Sequence, residues 1–155
     1  MINRTLIVVA AGVVIILAGG LYIRAGLMKQ DTSVQDAIAT LVQDFGTHIK
    51  EVSLLSPHAK EEVTKAYKDY TTPELLQAWQ DAPTTAPGKI ISSPWPDHLV
   101  VKSVTKHYLE YEVEADIVMV SSSGATTDSE TGTMPVHIVV AKRGGVWLVS
   151  RYQSP

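Results

Sequence analysis

The stretch from Thr5 to Ile23, TLIVVAAGVVIILAGGLYI, carries no charge from end to end. As a helix it would be about 28 Å long, close to the hydrocarbon thickness of a bilayer. Its Leu, Ile and Val side chains favour insertion, against a smaller penalty from Thr and Gly. A run of this kind cannot be the amphipathic face of a small folded domain. It predicts a single-pass membrane segment, residues 1–29, and leaves the folding to the rest of the chain.

A second reading competes for the same residues. Arg4 could be the charged head of a signal peptide, Leu6 to Leu17 its apolar core, and Ala18-Gly19-Gly20 a small-residue cleavage site. Against cleavage, the apolar run continues through Leu21, Tyr22 and Ile23. Tyr22 followed by Arg24 has the form of an interfacial aromatic and a snorkelling charge. Flanking charge is nearly balanced: Arg4 and the free amino terminus lie before the run, Arg24 and Lys29 after it. A short head, an apolar run and a whole domain form the layout of a signal anchor, which exports the domain C-terminal to it. The expectation is a cell-membrane protein, held in the lipid bilayer by Thr5–Ile23, with its domain on the extracytoplasmic side.

Separating the anchor changes the charge balance. All sixteen Asp and Glu lie from Asp31 onward, against ten Lys and Arg, so the domain is near −6 while the N-terminal segment carries Arg4, Arg24 and Lys29. An acidic domain argues against nucleic acid, whose binding rests on neutralised phosphates. Its net charge argues equally against adhesion to anionic lipid by the domain itself. The chain has no cysteine, which removes disulfides, thiolate metal sites, thiol nucleophiles and lipidated Cys together.

After a short linker, residues 30–33, the pattern is helical. Val34, Ile38, Leu41, Val42, Phe45 and Ile49 recur on one face, which predicts an amphipathic helix over Val34–Lys50, capped by Asp31 or Ser33. Ser56-Pro57, with Glu61 and Glu62, starts a second helix that puts Val63, Ala66, Tyr67 and Tyr70 on its apolar side. Thr72-Pro73-Glu74 opens a third, with Leu75, Leu76 and Trp79 turned inward. Pro83, Pro87 and Gly88 close the helical half. Ser92-Ser93-Pro94-Trp95-Pro96-Asp97 reads as a stiff turn. Period-2 runs then follow over His98–Lys106, Tyr108–Ser122, Thr131–Lys142 and Val146–Tyr152. In the second run Leu109, Tyr111, Val113, Ala115, Ile117 and Met119 alternate with Tyr108, Glu110, Glu112, Glu114 and Asp116. Ser121 to Gly132 reads as a long hairpin tip, and Arg143-Gly144-Gly145 as a tight turn. Helices followed by an antiparallel meander define an α+β domain over residues 34–155, about three helices on a curved sheet of about four strands.

This element order, with the last strand Gly145-Val146-Trp147-Leu148-Val149, resembles the NTF2-like (cystatin-like) cone. The block from Thr72-Pro73-Glu74-Leu75-Leu76 through Ala86-Pro87-Gly88 to Ser92-Ser93-Pro94-Trp95-Pro96 is similar to a stretch of small bacterial membrane-anchored proteins. One N-terminal span carrying such a domain is similar in layout to VirB8-type components of conjugation machinery. The resemblance implies a cone that can hold a pocket, and in some relatives an enzyme with an Asp or His base opposed by a Tyr or acid donor.

No such pair is evident by spacing, so no catalytic residue is assigned. Asp97 and His98 are adjacent; Asp97 alone has the form of a turn carboxylate. Tyr67 and Trp79 fit an amphipathic core edge, while Trp95, between two prolines, is presented by a stiff loop as a binding aromatic or as a plug for the open end of the cone. Trp95, Asp97, His98, Trp79 and Tyr67 are the candidate ligand- or partner-binding residues. The row Glu110, Glu112, Glu114 and Asp116 suits a solvated outer face or a weak cation surface. His48, His58, His98, His107 and His137 show no zinc spacing, so neither metal nor cofactor is expected.

The expected function is a membrane-anchored binding or assembly module without catalysis, dimerising through its sheet or joining a membrane complex. The alternatives are a small-molecule pocket, binding or enzymatic, and a secreted soluble domain left by signal-peptide cleavage.

Overall fold

The computed structural model describes residues 32–91, 93–122 and 128–154. Thr5–Ile23 lies outside the described residues. Among those described, no helix is long and apolar enough to cross a membrane. The chain divides into two units, Met1–Asp36 and Ala37–Pro155, and the second holds the fold.

Helix α1 covers residues 32–47. It starts earlier than the pattern predicts, so Thr32 and Ser33 are helical rather than linker. It also ends sooner than Lys50. The Thr47 hydroxyl donates to the Asp44 carbonyl at 2.7 Å, and the chain tightens into a 3-10 turn at Ile49–Glu51, a common way of satisfying the last carbonyls of a helix. Ile38, Val42, Phe45 and Ile49 are fully buried, as the 3.6-residue period requires.

Helix α2, Ala59–Tyr67, begins two residues later than the Ser56-Pro57 signature suggests. Ser56 spends its oxygens on a turn instead: Oγ accepts from the His58 N–H and the carbonyl from the Ala59 N–H. Glu62 reaches back to the Ser53 N–H at 2.8 Å. Helix α3, Pro73–Asp81, starts as read, with Thr72 as cap, its Oγ1 accepting from the Leu75 N–H, and Pro73 in the first turn. Pro83 then opens a short 3-10 turn, Pro83–Thr85.

Strands β1 (Trp95–His107), β2 (Glu110–Ser122), β3 (Asp128–Arg143) and β4 (Val146–Gln153) form a four-stranded antiparallel meander in sequence order. The class is α+β, three helices on one antiparallel sheet.

Two boundaries differ from expectation for local reasons. Trp95-Pro96-Asp97 is strand rather than turn. Proline cannot donate to the ladder, but β1 is an edge strand and a register shift falls between Pro96 and His98, so the missing donor is tolerated. Tyr108 and Leu109, read as the start of β2, instead make the two-residue β1–β2 turn, with Tyr108 at φ +53°. The expected hairpin tip is strand up to Ser122 and from Asp128, with residues 123–127 outside the described set.

From Tyr111 to Ile117 the predicted alternation holds. Tyr111, Val113, Ala115 and Ile117 are buried, and with Ile138, Val140 and Val149 they supply the sheet side of the core. The helix side meets them through aromatic rings. Phe45 lies 5.0 Å from Tyr67, 6.3 Å from Trp79 and 6.3 Å from Tyr152 between ring centres. One ring thus touches α2, α3 and β4. Two backbone bonds pin the α2–α3 loop to the sheet: Thr72 N–H to Val149 C=O, and Val149 N–H to Tyr70 C=O.

Gly46 follows Phe45 for a steric reason. A Cβ there would lie 2.6 Å from the Leu99 Cβ and 2.8 Å from its backbone nitrogen, so α1 sits directly on β1. Urea unfolding followed by tryptophan fluorescence should show Phe45→Ala losing about 3–5 kcal/mol. Gly46→Ala should lose about 1–3 kcal/mol despite better helix propensity, because backbone rather than a flexible side chain must move. A neutral or stabilising Gly46→Ala would refute the close approach.

Candidate binding cavity

Between the 84–91 segment and the sheet lies a cavity of ≈ 430 Å³, lined mainly by apolar groups including Leu54, Ala86, Pro87, Pro96, Ile117, Met119, Met134 and Tyr152. Its volume is in the range of small-molecule sites, about 300–1,000 Å³. Each wall has a local origin. Ile117 opposes Met134 across β2–β3, while Met119 opposes Gly132, which brings no side chain to that position. The opposite wall is held by the short pairing of Ser53 with Lys89: Leu54 N–H donates to Lys89 C=O at 2.9 Å, and Lys89 N–H to Val52 C=O at 2.8 Å. Gly88 lets these segments touch, since a Cβ there would meet Leu54 Cγ at 2.9 Å.

Tyr67 fixes the same wall from below. It is fully buried, and its hydroxyl donates to the Pro87 carbonyl at 2.7 Å. Burial raises its phenol well above the ordinary value, so it remains a donor. Tyr152 lines the cavity itself. Burial raises its phenol too. The cavity therefore offers a mainly apolar volume with a neutral phenol, beside the hydroxyls of Thr84, Thr85 and Ser154 on its lining.

The candidate residues fall into three places. Tyr67 and Trp79 belong to the aromatic core; Trp79 is 3 % exposed and neither lines the cavity. Trp95, half-buried, lines a neighbouring groove with Ser53, Lys89, Ile90 and Ile91. Ile90 and Ile91 border both spaces and are 56 % and 58 % exposed. Asp97 and His98 do come together, Oδ2 to Nδ1 at 2.8 Å, with Lys50 Nζ on the other carboxylate oxygen at 3.1 Å. This set lies outside the cavity lining. Among the described residues, no group of three or more His, Asp or Glu could hold a metal ion.

The hydrogen bond from His98 holds the Asp97 carboxyl below its ordinary range; burial opposes it, and the Lys50 hydrogen bond adds a further, smaller lowering. The Ser53 N–H and then Ser56 do the same for Glu62. In both cases the unfolded chain binds protons more readily than the folded one. The stability these carboxylates contribute is present above the unfolded values and is lost as pH falls through the folded ones.

Sequence reasoning did not find Tyr152, Ile117, Met119 or Met134 as a set. The legible sign was Met119, at an inward position of β2 and close to a glycine-containing partner strand.

No family profile and no curated relative matches the chain. Among solved structures, one whose title begins Rd1NTF2_05 is similar at 14 % identity with a TM-score of 0.41, over 82 % of this chain and 99 % of that one.

Acid unfolding tests the carboxylates. The stability of the wild-type protein should drop as pH falls below the ordinary Glu and Asp values of 4.5 and 3.8. Asp97→Asn and Glu62→Gln should each flatten that slope, and unchanged slopes would show that neither carboxylate is stabilised by folding.

Proposed function

We propose that the protein is a membrane-anchored, extracytoplasmic NTF2-like binding module that takes a small, largely apolar molecule in its cavity and does no chemistry on it. The observation that carries this reading is the ≈ 430 Å³, mainly apolar cavity with the Tyr152 phenol among its few polar groups. An apolar lining supplies affinity through burial, and one phenol can orient an acceptor on the ligand. Catalysis would need a base and acid around the reacting atom. The Asp97–His98 pair is instead engaged with Lys50 outside the cavity. Tethering by Thr5–Ile23 suits a ligand that partitions into or leaves a bilayer.

Assembly through the open sheet face is less favoured by the same geometry. That face carries cross-strand ion pairs of Arg151 with Glu110 at 3.0 Å and Lys102 with Asp116 at 2.8 Å, and the Glu112 carboxylate in contact with His107 at 3.3 Å. A second copy would have to desolvate these charges rather than cover apolar surface.

The test is photolabelling of the full chain in lipid nanodiscs with an aliphatic diazirine that carries a ketone. The wild-type protein should be labelled near Ile117–Met119 and Met134, and within Thr5–Ile23 as an internal reference. Met134→Trp, which fills the cavity, should cut domain labelling at least about tenfold and leave the anchor signal unchanged. Tyr152→Phe should weaken the ketone probe about fivefold, and a plain hydrocarbon probe hardly at all. Equal domain labelling of wild type and Met134→Trp would sink the cavity reading. Absence of label in Thr5–Ile23 would sink the anchor separately.

A further inference from the structure

One end of the sheet gathers the two most exposed large apolar side chains of the described residues, Tyr108 and Leu109, together with Val146. Glu110 opposes Ala141 across β2–β3, and Arg143 opposes Val146 across β3–β4. The Tyr108-Leu109 turn and the Gly144-Gly145 turn therefore leave the sheet at the same end. Tyr108 is 97 % exposed, Leu109 85 % and Val146 59 %. Lys142 and Arg143 stand beside them, both exposed, with Lys142 Nζ 5.4 Å from the centre of the Trp147 ring. Glu110, which starts β2 at this end opposite Ala141, is paired with Arg151 at 3.0 Å. The acidic domain thus presents one locally basic, apolar end.

We propose that this end, Tyr108 and Leu109 with Val146 beside Lys142 and Arg143, docks on an anionic lipid surface. The domain's net charge weighs against lipid adhesion only where its charges reach. At about 0.1 M salt the Debye length is about 10 Å, so carboxylates farther off on the helices and sheet face are screened. Lys142 and Arg143 act locally on headgroup phosphates, while Tyr108, Leu109 and Val146 reach the acyl boundary. A tyrosine, aliphatic groups and long basic side chains are the residues that suit that depth. The shape favours lipid over a protein partner. Neither of the two spaces described above is lined by these turns, and a protein hot spot requires a pocket where an anchor residue is fully desolvated. Tight turns with Tyr108, Gly144 and Gly145 at positive φ also have little backbone freedom left to lose on docking. The inference is independent of what fills the cavity.

The absence of cysteine allows a clean test. Leu109→Cys and, as a control on α2, Lys65→Cys are labelled with an environment-sensitive fluorophore. Each full chain is then reconstituted into vesicles of phosphatidylcholine alone or with phosphatidylglycerol. With the anionic lipid, the probe at residue 109 should shift to the blue and be quenched by shallow spin-labelled lipid; the probe at 65 should do neither. Lys142→Glu with Arg143→Glu should lower the quenched fraction by roughly tenfold or more, as should about 0.5 M salt. Tyr108→Ser, at a side chain that carries none of the fold, should weaken it less. Identical signals at 109 and 65, or quenching at 109 indifferent to lipid charge and to the Glu substitutions, would overturn the proposal. Co-sedimentation of the chain with neutral vesicles reads the anchor and leaves the two outcomes distinguishable.

Discussion

The ring of Phe45 is the contact on which the helical layer depends. It is the chain's one phenylalanine, and it lies against Tyr67 of α2, Trp79 of α3 and Tyr152 of β4. Tyr67 and Trp79 also meet each other at 5.4 Å, and Trp79 meets Tyr152 at 6.1 Å. Each helix is short, and α2 and α3 would be marginal alone. Burial of one large aromatic apiece, about 150–250 Å² of surface, makes their positions mutually dependent. The next residue sets the depth. Gly46 lets α1 approach Leu99 closely enough for Phe45 to reach all three partners.

That same cluster shapes the cavity. Tyr67 leaves the stack at its hydroxyl end to hold the Pro87 carbonyl, and Tyr152 belongs to both the stack and the cavity wall. The core is filled where the aromatic rings meet. It stops being filled where α3 has ended and the chain crosses through Pro83 to Ile91. Prolines and glycine there give the wall shape but little side-chain volume, and on the sheet side Gly132 contributes none. The opening is the consequence of a helical layer that is shorter than the strands it covers.

Much of this was readable from residue order. The helix stripe through Ile38, Val42 and Phe45, the Thr72-Pro73 start and the Tyr111–Ile117 alternation follow from side-chain periodicity and cap chemistry, which are local. What could not be read was set by distant partners. Ser56 looked like a helix cap but completes a turn, because Glu62 answers Ser53 from within the helix. Trp95-Pro96 looked like a turn because proline is excluded from most strands, yet an edge strand with a bulge accommodates it. Leu109 fitted the alternation but falls in the turn, where Tyr108 takes positive φ. The cavity residues were the least legible, since a space is defined by what four separate segments fail to fill. Trp79 and Tyr67 drew attention as large aromatics, and their size is what commits them to the core.

Charge on the sheet follows a rule that composition conceals. The row Glu110, Glu112, Glu114 and Asp116 is answered across the strands by Arg151, His107, His137 and Lys102. Exposed pairs of this kind each contribute only about 0–1 kcal/mol, so their value lies less in stability than in what they prevent. They keep the outer face polar and wet, and they flank Val139, which is buried at 3 % on that face between its register partners Glu112 and Arg151. Lys142 and Arg143 lie beyond the row, at the turn end, and are not drawn into it. A domain with net negative charge can therefore carry a basic end because its charges are unevenly placed, and it is position along the strands, rather than the sum, that decides which surface an anionic partner meets.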